Sequence, residues 1–225
     1  NGRVAVLILN GGMATRFGGV VKGVVPVDGA RSFLALKLLD AARVARALGA
    51  PPPIVILMNS RATQAATQAH LEENDHFGYP ADRIWSFEQQ WTARLDAEGE
   101  VFIESDGDPS FYGPGHGDLG PCLRSSGLLS RFEAGGGRTL LMSNVDNVVA
   151  TLDPTLLGRH LGAGRNISVE LVDKWAGDAG GAPARVDGRL QIVESFRFPA
   201  GFDQARIPVF NTNTLWVDLE ALAGP

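Results

Sequence analysis

The chain has 225 residues, enough to bury a sizeable core, and its 44% hydrophobic and 20% charged content excludes a disordered polypeptide. A net charge of −5 excludes the basic field that grips a nucleic-acid backbone, so a small anionic ligand would need local donors. The single cysteine, Cys122, rules out an internal disulfide, and the run VAVLIL (4–9) is too short for a signal-peptide core or a membrane span of about 20 residues, so we expect a cytoplasmic protein without nucleic-acid or membrane partners.

In chain order, RVAVLIL (3–9) is a continuous apolar run that suits a strand covered on both faces. Residues 33–48 set Leu34, Leu38, Ala41, Ala45 and Leu48 on one helical face, with Asp40, Arg43 and Arg46 opposite. IVILM (54–58) predicts a second buried strand, 61–73 a second helix and RIWSF (83–87) a third strand. Strands alternating with helices at this spacing argue for right-handed crossovers and a mainly parallel sheet. Residues 99–120, rich in Gly, Pro and Asp, read as a long functional loop; 119–133 reads as one helix and RTLLMSNV (138–145) as a fourth buried strand. A short helix over 154–162 follows, then strands over 166–173, 184–194 and 208–218 with turns at DAGG and DG. Trp85 and Trp91 read as packing residues, and His70, His76 and His160 have no partners at metal-ligand spacing.

Open parallel sheets bind ligands outside the carboxyl ends of their strands, where NGGMATRFGG (10–19) lies. Glycines there let several N–H groups approach a phosphate chain, and Arg16 and Lys22 would add full charge; a flexible turn with incidental basic residues is the alternative. The spacing excludes a Walker loop, since Gly18 to Gly23 is followed by Val24 where that motif has lysine. GHGDLG (115–120) matches the dinucleotide fingerprint but follows loop sequence instead of a buried strand, which excludes that reading too. Gly115 and Gly117 could instead let backbone read a nucleobase edge with His116 near the phosphates, or His116 could be an ordinary loop residue. MSNVDNV (142–148) ends a strand with Asp146 flanked by Asn144 and Asn147, which are either hard oxygen donors of the kind Mg²⁺ takes or a set of Asx turns. In FNTNTLW (210–216), Asn211 and Asn213 fall two apart on one strand face, suited to sugar hydroxyls or to a polar edge.

Together these stretches resemble the UTP-sugar-1-phosphate uridylyltransferase family, the UDP-glucose and UDP-N-acetylglucosamine pyrophosphorylases. The likeness rests on seven matches in family order over nearly the whole chain: LNGG at 9–12 with a downstream lysine, FEQ at 87–89, GPGHGD at 113–118, SNVDN at 143–147, LVDK with DAGG at 171–181, IVE at 192–194, and FNTNTLW. The resemblance implies an α/β, glycosyltransferase-A-like nucleotidyltransferase fold with a mixed, mainly parallel central sheet flanked by helices. It implies one catalytic domain over 1–225 whose ends need not be the natural ones, a further sugar-phosphate lysine being expected beyond Pro225. By position, Leu9, Asn10, Gly11 and Gly12 would hold the nucleotide by backbone, with Gln89, Gly115, His116 and Gly117 at the base and phosphates. Arg16, Lys22 and Lys174 would be the catalytic cations, Asp146 would bind Mg²⁺ as cofactor, and Gly181, Glu194, Asn211 and Asn213 would line the sugar site. The implied substrates are UTP and a sugar 1-phosphate. Glucose 1-phosphate comes first, because SNVDN and FNTNTLW lean to that branch. Arg16 followed by a single lysine, with Val24 and Val25 replacing the tighter glycine-lysine arrangement, is closer to the N-acetylglucosamine branch. A nucleotide-sugar-binding module without catalysis is the reading from another class.

Overall fold

The computed structural model describes residues 2–14, 19–175, 177–178 and 180–222. Four apolar runs form the parallel part of a six-stranded sheet: β1 (Val4–Leu9), β2 (Ile54–Asn59), β3 (Ile84–Glu88) and β4 (Thr139–Asn144). Beyond them come β5 (Ile167–Asp173), a separate hairpin of β6 (Ala182–Val186) and β7 (Arg189–Val193), and β8 (Val209–Asp218). The strand order is β5-β8-β4-β1-β2-β3, with β8 antiparallel to both its neighbours, so the sheet is mixed and mainly parallel.

β1 carries no polar residue because helices cover both its faces. Alternation sends Val6 and Ile8 toward Leu34, Leu38 and Ala41 of α1 (Phe33–Ala47) and Leu71 of α2 (Arg61–Glu73). Ala5, Leu7 and Leu9 point the other way, onto Leu119 and Leu123 of α3 (Leu119–Ser125) and Phe132 of α4 (Leu128–Ala134). Each valine, leucine or isoleucine among them, fully buried, stabilises the fold by about 1.5–3 kcal/mol. α5 (Pro154–Ala163) and α6 (Leu219–Leu222) complete the set described.

Three expectations need correction. The single helix over 119–133 is two, because Ser125 and Ser126 turn their hydroxyls back onto the Cys122 and Leu123 carbonyls and Gly127 goes left-handed at φ +75°. Leu48 does not extend the buried stripe of α1: the helix stops at Ala47, Gly49 turns at φ +60°, and Leu48 is 62% exposed. The stretch 99–120 is not structureless either. Residues 99–112 belong to a small ribbon in which Thr92–Ala93 pairs with Phe111–Tyr112, closed by the bridges Leu95 to Val101 and Ile103 to Pro109. The turn expected at DG joins β6 to β7 through Asp187 and Gly188, both at positive φ as a two-residue hairpin turn requires.

Candidate active site

Because β1 to β4 run parallel, their carboxyl ends share one edge, and the antiparallel β8 begins there. Backbone bonds lace the chain together just past the strand ends: Asn10 N to Met58 O (2.8 Å), Gln89 N to Asn59 O (2.7 Å) and Val145 N to Leu9 O (3.1 Å). They frame a cleft of about 330 Å³ lined by Leu9, Gly11, Gly12, Lys22, Gln89, Gly115, His116 and Asp146, together with Met58, Gly113, Asn144 and Val145. Residues from five separate stretches of sequence thus meet in one place.

Lys22 reaches the cleft because Val20–Val21 pairs back on Met13–Ala14 and Lys22 N approaches Gly12 O at 3.4 Å. Its ammonium lies 2.8 Å from Asp146 Oδ2, with both side chains about two-thirds buried. Arg16 lies outside the described residues. Gln89 is clamped between two glycines: a Cβ on Gly11 would stand 2.9 Å from its Oε1, and one on Gly113 would overlap its Nε2. Its loop is held by Asp118, whose Oδ2 accepts from Gln90 N at 2.9 Å. Asn10 turns its side chain inward, fully buried, donating to Asn59 Oδ1 (2.7 Å) and Thr67 Oγ1 (2.9 Å). It anchors the loop and is not among the cleft's lining residues.

On the far side Asn213 Nδ2 lies 3.0 Å from His116 Nδ1 and donates to Asn144 Oδ1 at 3.0 Å. Desolvation lowers the His116 pKa below the ordinary value, Asp118 opposing, which suits a neutral ring that accepts at Nδ1. Asn213 sits at φ +61°, beside a register shift between β8 and β5, so the simple alternation expected across 211–213 is broken. Asn211 Oδ1 accepts from Asn213 N (2.9 Å), and Asn211 N donates to Gly181 O (2.7 Å). A Cβ on Gly181 would stand 3.0 Å from Glu194 Oε1, so Gly181, Glu194 and Asn211 converge. Gly117 lies in the short turn His116–Asp118 but is not among the cleft's lining residues. Lys174 lines another cavity, of about 460 Å³, with Trp175, Asp178 and Gln204. Trp91 is half exposed beside Phe111 and beneath the Arg61 guanidinium, not packed in a core.

The donor set permits a test for Mg²⁺. Among the described residues no group of three His, Cys, Asp or Glu side chains could hold a metal ion alone. A lone carboxylate facing a cleft fits an ion that keeps waters and takes its other ligands from phosphate oxygens. The residues around Asp146 fit Mg²⁺ on that basis, provided Lys22 releases Oδ2.

A residue that sequence reasoning missed lies beneath this loop. Lys37 is 4% exposed, and its Nζ donates to Ser143 Oγ and to Ala150 O, both at 2.8 Å. Desolvation lowers its pKa to about 8, against the pull of Asp40, Asp146 and Glu170. Its spacing was the available signal: Lys37 follows Leu34 by three and precedes Ala41 by four, inside the apolar stripe.

Comparison with known proteins gives a consistent set of relatives. A family model described as UTP–glucose-1-phosphate uridylyltransferase matches residues 1–224. The Saccharomyces cerevisiae UTP–glucose-1-phosphate uridylyltransferase is 34% identical over 98% of this chain and 45% of its own length. A UDP-glucose phosphorylase structure from Trypanosoma brucei is similar at TM-score 0.85 and 28% identity, covering 98% of this chain and 49% of that one. A mutant UDP-glucose pyrophosphorylase from Leishmania major, solved in complex with UDP-glucose, gives TM-score 0.82 and 26% identity over 97% of this chain and 50% of its own. The chain spans about half the length of the curated relatives it matches. The α/β fold with a mixed, mainly parallel sheet is thus that of nucleotidyltransferase-type pyrophosphorylases.

Proposed function

From the premise that this chain belongs to the UTP–glucose-1-phosphate uridylyltransferase family, we propose that it joins UTP to a sugar 1-phosphate, glucose 1-phosphate first, giving a UDP-sugar and pyrophosphate. The observation that carries this reading is the cleft in which Leu9, Gly11, Gly12, Lys22, Gln89, Gly115, His116 and Asp146 meet, Lys22 and Asp146 being 2.8 Å apart. The glycine-lined floor leaves room for a nucleotide against bare backbone, with the Gln89 amide held between two glycines to read the base edge. Asn211, Asn213, Glu194 and Gly181 form the sugar side.

The reaction is a displacement at phosphorus. An oxygen of the sugar 1-phosphate attacks the α-phosphorus of UTP, and the bond to the β-phosphate oxygen breaks, its electron pair leaving with pyrophosphate. A phosphate monoester with a second pKa of about 6 is largely a dianion at neutral pH, so no side chain has to remove a proton. Lys22, with Arg16 as a further candidate, opposes the charge that grows on the leaving group, and the bare amides near Gly11 do the same without reorganising, while Lys174 stays the candidate at the sugar phosphate. Asp146 is the proposed Mg²⁺ ligand, and the bound ion would supply charge neutralisation of the phosphates. Neutral His116, fixed by Asn213, would orient phosphate or ribose at the seam between the two sides.

Calorimetric titration with UDP-glucose and then UDP-N-acetylglucosamine, both with Mg²⁺, tests the site, and pyrophosphate release from UTP and glucose 1-phosphate tests turnover. Saturable binding of UDP-glucose with turnover supports the reading; preference for UDP-N-acetylglucosamine moves the sugar assignment to that branch. No heat from a demonstrably folded chain would sink it.

A further inference from the structure

We infer that Lys37 is a positioning residue, a buried staple that ties the start and the end of the segment 144–150 and so fixes where Asp146 points. The inference rests on the reading of Asp146 as the metal-facing carboxylate and adds a residue to it. The segment leaves β4 after Asn144, and from outside it is held by Val145 N to Leu9 O (3.1 Å), by the Lys22–Asp146 pair and by Asn147 Nδ2, which donates to Thr214 Oγ1 at 3.1 Å. Its internal backbone bonds are three short turns: Asn147 N to Asn144 O (3.2 Å), Val148 N to Asp146 O (3.1 Å) and Ala150 N to Asn147 O (3.3 Å). Val149 is 84% exposed, so side-chain burial does not anchor the outer part. The ammonium of Lys37 donates to Ser143 Oγ on one side and Ala150 O on the other, each at 2.8 Å, closing the segment at its base. One turn further along α1, Asp40 Oδ2 accepts from Leu152 N at 3.0 Å and pins the chain just beyond.

A buried lysine left unpaired would be strongly disfavoured. Its charge-assisted bonds to these two acceptors therefore resist any movement of the segment that breaks them. Three carboxylates surround the ammonium at longer range, Asp40 on its own helix, Asp146 on the segment and Glu170 on β5. The positive charge alone would repel an incoming cation from Asp146, whereas the staple would hold Asp146 ready for it. The two effects have opposite signs, and removal of Lys37 separates them.

The experiment compares the wild type with Lys37→Met, which keeps the length of the side chain, after thermal unfolding has shown both to be folded. Hydrogen exchange without ligand should speed at least tenfold at the amides of Asn147, Val148 and Ala150 while β1 and β2 keep their protection. UDP-glucose affinity without Mg²⁺ should change less than twofold, and the gain in affinity that Mg²⁺ brings should fall about tenfold. Unchanged exchange, a uniform rise across the sheet, or a larger Mg²⁺-dependent gain in the variant would each overturn the staple. Should Lys37→Met not fold, Ser143→Ala removes one of the two acceptors and should give a smaller change in the same amides. If the wild type binds no UDP-glucose, the uridylyltransferase reading fails on its own, and ligand-free exchange still decides whether Lys37 holds the segment.

Discussion

A Cβ on Gly113 would overlap Gln89 Nε2, while Gly113 is itself at the surface, so a single methyl there changes the cleft and little else. Gly113→Ala should weaken UDP-glucose binding about tenfold, or 1.4 kcal/mol, with the melting temperature nearly unchanged. Calorimetry beside a thermal melt reads both, and an unaltered affinity would remove Gln89 from the binding site. Lys37 makes a prediction about pH. Between pH 8 and 10.5 the unfolded chain keeps a proton that the folded chain has released, so unfolding takes one up and is disfavoured as pH rises. Stability should climb by about 2 kcal/mol from pH 8 to 10, where Tyr79, its pKa raised by burial, begins to oppose it. Denaturant titrations at the two pH values measure the climb, and Lys37→Met should lack it; an equal climb in the variant would assign it to other groups. Residues of this kind are poorly legible in sequence, since the partners of Lys37 lie more than 100 positions away at Ser143 and Ala150.

At the scale of elements, helix starts are set by short-range chemistry and can be tested singly. Ser32 caps α1 by accepting from Ala35 N at 3.1 Å, and its hydroxyl also meets His70 Nε2 of α2 at 2.9 Å. Ser32→Ala should lower stability by about 1–2 kcal/mol, a cap's worth plus an unpaired imidazole, seen as a lower urea midpoint with an unchanged slope. A loss below 0.3 kcal/mol would mean water replaces the hydroxyl at the cap. Buried strands such as β1, β2 and β4 were legible because both faces are apolar, and α2 because its cap and stripe agree. The break between α3 and α4 was not, because helical periodicity survives across it; only the Ser-Ser-Gly run at 125–127 marks it. The part of the ribbon from 99 to 112 falls inside the stretch 99–120 read as loop, because its pairs are two residues or single bridges, too short for alternation to register.

Across the whole molecule, the alternation of strand and helix led to the parallel part of the sheet, and the order of short motifs led to the cleft. What periodicity could not supply was the place of β8, whose pairing with β4 and β5 depends on segments distant in sequence. Nor did it separate Lys174 from the residues that line the cleft, since a motif fixes order along the chain and not which cavity a side chain enters.

The wedged position of β8 has a consequence in time. Among the described residues β5 pairs with no strand of the sheet except β8, whereas β1 to β4 pair among themselves. During synthesis β8 emerges after β1 to β4, and β5 has to wait for it, so that half should form late on the ribosome. Hydrogen exchange on ribosome-bound chains of increasing length should show amides of β1, β2 and β4 protected before those of β5, and simultaneous protection would contradict this order. The bulged strand that carries Asn211 and Asn213 would then be set against a finished Leu9–Gly12 loop. On the proposed reading, a chain still emerging from the ribosome would be able to hold uridine before it could tell one sugar from another.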